Sequence, residues 1–282
     1  MKKNKVLTFF QYLFAIVITL CTLGPFSWLA ISSVSYQKDL TKVPLDWIPN
    51  DVTFQRYLDI FTNPNNDMAY AFKVSMLNSL IVSICVASIA LIVGSLAAYA
   101  FARLKFYFRK KLIYLFLFTY MIPPVVVVIP LYLLLSNMGM LDTKSTLVLL
   151  DLTFVIPFVI WIMQSYFSSF SKSFEEAASI DGCNRFQTLW HIVLPLVKPG
   201  IIATGILAFL LSWDEFFFSL LFTSSLDAKT ISVAISEFSG KNSVDYGMVA
   251  TGGVLASLPP IIIVFLFQKQ LVQGMTGGGV KE

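Results

Sequence analysis

Two adjacent carboxylates in the segment LSWDEFFFSLLFT carry the sharpest chemical signal in this chain. Asp214 and Glu215 fall about midway along an apolar run, where an unpaired carboxylate costs at least ~2.5 kcal/mol in a bilayer. Such groups face a wet cavity or a partner. Beside Trp213 and Phe216 they offer hydrogen-bond acceptors and an aromatic face, the combination that holds a sugar, whose hydroxyls donate while its C–H faces stack. An interhelical hydrogen bond between subunits is an equally good use, and a titrating acid in a proton-coupled transporter is a third. Asp151 lies nearer a span end and is weaker evidence. Metal and triad chemistry find no support, because His191 is the only histidine and neither a His-based metal site nor a Ser-His-Asp triad can be assembled from it. Cys21 and Cys85 lie in apolar runs and Cys183 in a polar segment, a scatter that suggests neither a disulfide framework nor a metal site. The one Gly-Lys pair, Gly240 to Lys241, lacks the earlier glycine of a nucleotide-binding loop. No ATP-binding site is expected in this chain.

A second constellation is EEAASIDGCNRFQTLWHIVLPLVKPG, residues 175–200, an amphiphilic passage between two apolar runs. Residues 174–180 predict two helical turns with Glu175 and Glu176 at the amino end, where acids suit the helix dipole. Ala177 and Ala178 leave that helix thin. Gly182 permits a sharp turn, and a second helix over 185–193 presents Phe186, Leu189, Trp190 and Val193 on one side. Pro195 and Pro199 end it. The expectation is a rigid hairpin, at about 168–199, that a partner can grip.

The elements that must position these residues follow from composition. Of 282 residues 57% are apolar and 13% charged, and the mean hydropathy is +0.77, values that a water-facing surface does not tolerate. The class is therefore an all-α polytopic membrane protein. Six runs, 6–31, 74–101, 112–136, 145–167, 200–223 and 246–267, are long enough to cross a bilayer core. The first follows Lys2, Lys3 and Lys5 and lacks a cleavage site, so it is expected to be retained. Six spans put both termini on one side. With that side cytoplasmic, Lys2, Lys3, Lys5, Arg103, Lys105, Arg109, Lys110, Lys111, Lys172, Arg185, Lys198, Lys269 and Lys281 are inside, thirteen of the 20 basic residues. The positive-inside rule selects this orientation. The excess of basic over acidic residues thus serves topology, and no nucleic-acid partner is expected. Outside, residues 35–73 are rich in turn formers, among them Asn50, Pro64 and Asn65, around TFQRYLDIF. There Phe54, Tyr57, Leu58 and Phe61 share a helix face suited to the membrane surface or to neighbouring spans. Pro123, Pro124, Pro130, Pro157, Pro259 and Pro260 lie inside spans and are expected to bend them, as suits a pathway that opens and closes.

At this point the residues resemble a family. Glu176, Ala177, Ala178, Gly182, Ile192, Leu194 and Pro195, with Asp181 before the glycine, match the EAA signature of binding-protein-dependent ATP-binding-cassette importer permeases. Further pieces resemble the carbohydrate-uptake branch and its smaller, maltose-transporter-type permease subunit: NSL in the second span, AAYAFARLKF at its end, IPLYLLLSNMGMLDT, SWDEFFFSLLFT and the tail VQGMTGGGVKE. The resemblance covers nearly the whole chain and implies one permease domain over residues 1–282 in a bacterial-type cell membrane. It implies a second related permease in a heterodimer, two ATPase subunits that hold ATP and Mg and move the hairpin, and an extracytoplasmic sugar-binding protein into which the outer loop 224–245 reaches. The chain itself is then no enzyme and binds no cofactor. Ser171, Cys183, Asp214, Gly277 and Gly279 depart from the family pattern, and Asp214 replaces a neutral asparagine by an acid.

Two rival classes remain at this level. A proton-coupled secondary transporter using Asp214 and Glu215 explains six spans and intramembrane acids, but it needs no EAA hairpin and often shows internal repeats. A membrane assembly protein without transport needs neither the acids nor the kinks. Within the importer class, a non-sugar solute such as glycerol phosphate is the alternative cargo.

Overall fold

The computed structural model describes residues 5–49, 51–63, 66–238 and 244–277. Lys2, Lys3, Asn50, Pro64, Asn65, Gly240, Lys241, Gly279 and Lys281, named above, lie outside these residues. The described residues form helices and no strand, with one isolated bridge between Ser35 and Val52. The all-α class therefore holds. In chain order the helices are α1 (Lys5–Val34), α2 (Gln37–Leu40), α3 (Gln55–Thr62), α4 (Asp67–Arg103), α5 (Arg109–Met121), α6 (Pro124–Asn137), α7 (Lys144–Ser169), α8 (Ser173–Ile180) and α9 (Arg185–Thr188). A π-helical turn, Leu189–Val193, follows, and then α10 (Leu194–Leu196), α11 (Lys198–Trp213), α12 (Phe217–Phe222), α13 (Ile231–Glu237) and α14 (Tyr246–Gly277).

Among the described residues, Thr8–Val34, Asp67–Arg103, Lys144–Ser169 and Tyr246–Gly274 are each long and apolar enough to cross a membrane. Two bent pairs raise the number to six when each is taken as one span. The run 112–136 is one of them: α5 and α6 meet at 88°. The cause is the Pro123-Pro124 pair, because a residue that precedes proline is driven out of the helical region. Ile122 and Pro123 accordingly have ψ of 120° and 131°. The second pair joins Arg185–Leu196 to α11 at 80°, through Val197 at φ −91°, ψ 8°. In α14 the non-helical dihedrals fall at Phe267, not at Pro259 and Pro260.

The chain divides into two compact units, Met1–Lys73 with Ala234–Leu258, and Val74–Val233 with Pro259–Glu282. In the first unit, Arg56 of α3 donates to the Ser35 carbonyl at 2.7 Å, and Tyr57 donates to Ser33 Oγ at 2.7 Å. Ile60 is buried while Phe54, Leu58 and Phe61 stay exposed. Of the stripe expected to meet the membrane surface or neighbouring spans, Tyr57 packs against the end of α1, while Phe54, Leu58 and Phe61 remain open.

The second unit is organised around α7. Leu147, Leu150, Asp151, Val155, Val159, Met163 and Phe167 are buried at the three- and four-residue spacing of one helix face. Small residues bring its neighbours close. A Cβ added at Gly94 of α4 would lie 2.6 Å from Val159, and one at Gly200 of α11 would lie 2.7 Å from the Tyr166 ring.

Candidate functional site

The expected hairpin forms in the second unit, and its turn is closed by backbone bonds. Gly182 sits at φ +85°. The Cys183 N–H reaches the Ala178 carbonyl at 2.9 Å and the Gly182 N–H reaches that of Ser179 at 3.2 Å, the Schellman pattern that satisfies the last carbonyls of α8. The next helix starts at once. Asn184 Oδ1 accepts from the Gln187 N–H at 2.9 Å, and Gln187 Oε1 accepts from the Asn184 N–H at 2.8 Å, a reciprocal capping box. With both ends capped, the turn has little freedom to pivot.

Beyond Thr188 the helix widens into the π turn, with Leu194 N–H bonded to the Leu189 carbonyl. Pro195 follows, and in a regular helix its ring would collide with the His191 carbonyl. The signature residues are distributed around this frame. Glu176, Ala177, Asp181, Gly182 and Pro195 are exposed, Ile192 and Leu194 are half-buried, and Ala178 is buried. Phe186 and Trp190 are exposed and stack with centroids 6.4 Å apart, whereas Leu189 and Val193 are buried. The helix side expected from the sequence therefore divides into an inner and an outer half.

The fifth apolar run is a broken helix. α11 ends at Trp213, residues 214–216 are not helical, and α12 restarts at Phe217. Glu215 holds the restart, since its carboxylate accepts from the Phe218 N–H at 2.7 Å and the Ser219 N–H at 3.0 Å. The Trp213 ring is buried and stacks on Phe209 at 5.6 Å. Of the four expected pathway residues, two are thus committed to the fold, while Asp214 and Phe216 are exposed. A third acid emerges beside them. Asp151 of α7 is 1% exposed and its Oδ2 accepts from the Ser212 hydroxyl, while Oδ1 has no partner among the described residues. It ties α7 to the last turn of α11, next to the break. No cluster of three or more metal-ligating side chains occurs among the described residues.

On the other side of the run, the start of the loop 224–245 is pinned. Asn78, within the NSL segment, donates to the carbonyls of Leu226 and Lys229 at 2.8 and 3.0 Å and accepts from Lys144 at 3.0 Å. Lys144 also bonds the Asp227 carbonyl. Asp142 accepts from the Ser224 and Ser225 N–H groups at 2.8 and 3.0 Å. Partial burial raises its pKa, but the bonds from Ser225 and Ser224 outweigh that and hold it at about 2.

Bent apolar helices long enough to cross a membrane, a capped helical turn between two of them and an unwound acidic break within one describe a multi-pass membrane protein. The family described as "Binding-protein-dependent transport system inner membrane component" matches residues 90–277, and the chain belongs to it. Its relatives include the trehalose/maltose transport system permease protein of Thermococcus litoralis, 32% identical over 95% of this chain and 94% of that protein. The trehalose transport system permease protein of Mycobacterium tuberculosis is 32% identical over 91% of this chain and 92% of its own length. Among solved structures, a chain of a bacterial transporter for import of the acidic polysaccharide alginate superposes with a TM-score of 0.77. It is 23% identical, over 95% of this chain and 98% of that one. The fold is shared.

Proposed function

We propose that this chain is a permease subunit of an ATP-binding-cassette importer for a carbohydrate, built as one permease domain over residues 1–282. The observation that carries the proposal is the likeness to the trehalose/maltose permease along 95% of the chain. In this reading a second, related permease completes a heterodimer, two ATPase subunits bind ATP and Mg and move the hairpin at Glu176–Gly182, and an extracytoplasmic binding protein delivers the sugar. The chain hydrolyses nothing and binds no cofactor. Asp214 and Phe216 at the unwound break are the pathway groups available to a passing hydroxyl and its C–H face. The sulfoquinovosyl glycerol permease of Agrobacterium fabrum, 29% identical over 96% of this chain, extends the range of cargo to consider from oligosaccharides to glycosides of glycerol.

The test is uptake of labelled trehalose, maltose and a glyceryl glycoside by vesicles holding the reconstituted complex. Uptake is expected to need ATP and the binding protein and to stop with vanadate. Uptake driven by a proton gradient without ATP would favour the secondary transporter instead.

Both termini and the hairpin are cytoplasmic in this reading. A cysteine at Lys110, which is exposed beside the basic cluster, is expected to react with a membrane-impermeant thiol reagent only after permeabilisation. One at exposed Asp227 should react in intact cells. The opposite labelling pattern would reverse the topology.

A further inference from the structure

The two adjacent glutamates of the hairpin are not equivalent. Glu176 is exposed, and its carboxylate has no hydrogen bond or ion pair among the described residues. Glu175 is turned inward. One of its oxygens lies 2.5 Å from Arg103 Nε, and the other accepts from the Tyr99 hydroxyl at 3.4 Å. Arg103 is the last residue of α4, and its side chain is 6% exposed. The same guanidinium donates through Nη2 to the Phe170 carbonyl at 3.0 Å. Phe170 ends α7 in an extended conformation, φ −88°, ψ 145°. Tyr99 in turn stands edge-on to Phe167, which is fully buried, with ring centroids 5.7 Å apart.

These contacts set a mechanical contrast. The covalent route from the hairpin back into the membrane runs through residues 170–172, where the chain is not helical and the dihedrals can pivot. The route through Arg103 is a partly buried ion pair, with the Arg103 side chain 6% and the Glu175 side chain 19% exposed, and removing either partner takes away the other's counter-charge. The bond of the same guanidinium to the Phe170 carbonyl holds the start of the 170–172 link to α4 as well. A load on α8 therefore has a side-chain route into the end of α4 in addition to its covalent route into α7.

We propose that Arg103 and Glu175 are positioning residues that form a strut, carrying displacement of the hairpin into the membrane-crossing helix α4 so that α8 and the adjoining end of α4 move together. The proposal rests on the importer reading, in which an ATPase moves the hairpin. Glu176 faces the partner in this arrangement, and Glu175 faces the chain's own membrane helix.

The experiment uses the assembled complex with its binding protein and measures uptake and ATP hydrolysis on the same preparation. Arg103→Glu and Glu175→Arg are each expected to lower uptake at least about tenfold while hydrolysis continues, and the double exchange is expected to restore uptake. Glu175→Gln, which keeps the shape and a hydrogen-bonding group, should transport at an intermediate rate. Uptake and hydrolysis falling in parallel in every variant, or single variants that fail to assemble with no recovery in the exchange, would reduce the pair to a structural tie and overturn the strut. Full transport by Glu175→Gln and Arg103→Glu would also overturn it. An unmodified complex that shows no ATP-driven uptake would instead sink the importer reading, a separate outcome.

Discussion

Gly182→Val is expected to abolish ATP-driven uptake while the protein still reaches the membrane. At φ +85° the glycine occupies the left-handed region, which costs an L-residue roughly 1–2 kcal/mol and a β-branched one more. A Cβ built there meets nothing within 4 Å. The effect therefore comes from the turn itself and not from a clash, because relief of the strain requires giving up the bonds from Gly182 and Cys183 to the end of α8. Gly182→Ala is the graded control and should retain partial uptake. Glu176→Lys tests the same surface without touching the fold. It removes no bond made by the chain, so thermal stability should fall by no more than about 1 kcal/mol from the charge at the helix amino end, while in the importer reading a reversed charge towards the ATPase should abolish uptake. Uptake, co-purification of the ATPase and a melting curve on each variant are the measurements. Normal transport by both would remove the hairpin from the mechanism.

Asp214→Leu is expected to lose transport and Asp214→Asn to keep most of it. Asp214 ends α11 with its N–H on the Leu210 carbonyl at 3.0 Å, and its exposed carboxylate makes no bond among the described residues. Asparagine keeps an acceptor of the same size at the break. Leucine presents sugar hydroxyls with a surface that has none, and leaving polar groups unpaired costs about 1–3 kcal/mol each. A role between subunits gives another result, in which Leu disrupts co-purification with the second permease. Proton coupling gives a third, in which Asn fails as badly as Leu because neither titrates. An assembled but inactive Asp214→Asn would sink the sugar-path role. Glu215 behaves differently in this scheme. From the position before the N-cap residue Phe216 it bonds the Phe218 and Ser219 N–H groups at the start of α12, and Glu215→Ala should cost about 1–2 kcal/mol of stability, as loss of a capping side chain does, with no selective effect among sugars.

Much of this was legible in the residue order because it depends on near neighbours. The helical turns 174–180, the glycine turn at 182 and the second helix from 185 are all decided within a few residues and appear where expected, but Pro195 and Pro199 do not end that helix: helical structure runs on through Leu194–Leu196, and Pro199 falls in the first turn of α11. The capping box was missed, although Asn184 followed three residues later by Gln187 is a local signal that could have found it. The Pro123-Pro124 pair announces a bend, but the 88° value depends on what each half then packs against. Pairings across the bundle were not legible. Arg103 is the last residue of one long helix, and Glu175 lies on the short helix that follows another, so no local pattern joins them. The same holds for Asp151 and Ser212. For Trp213 the limit is rotational. A helix apolar on all sides has no periodicity to show which side is inward, so whether that ring lined a path or packed on Phe209 waited on the structure.

The pinning of the turn at 224–230 by Asn78, Lys144 and Asp142 has a thermodynamic consequence. Fixing a residue's backbone costs roughly 1–2 kcal/mol in conformational entropy. Had residues 224–230 been loose in the free chain, a docking protein would have had to supply that ordering out of its own affinity. Here it is met on folding, by Asn78 bonds to Leu226 and Lys229 and by Asp142 bonds to Ser224 and Ser225. In the importer reading, a binding protein that docks at this turn would find the surface already in one shape and lose little to induced ordering. Loosening the turn, as by Asn78→Ala, would then weaken docking without removing a single atom that the partner touches.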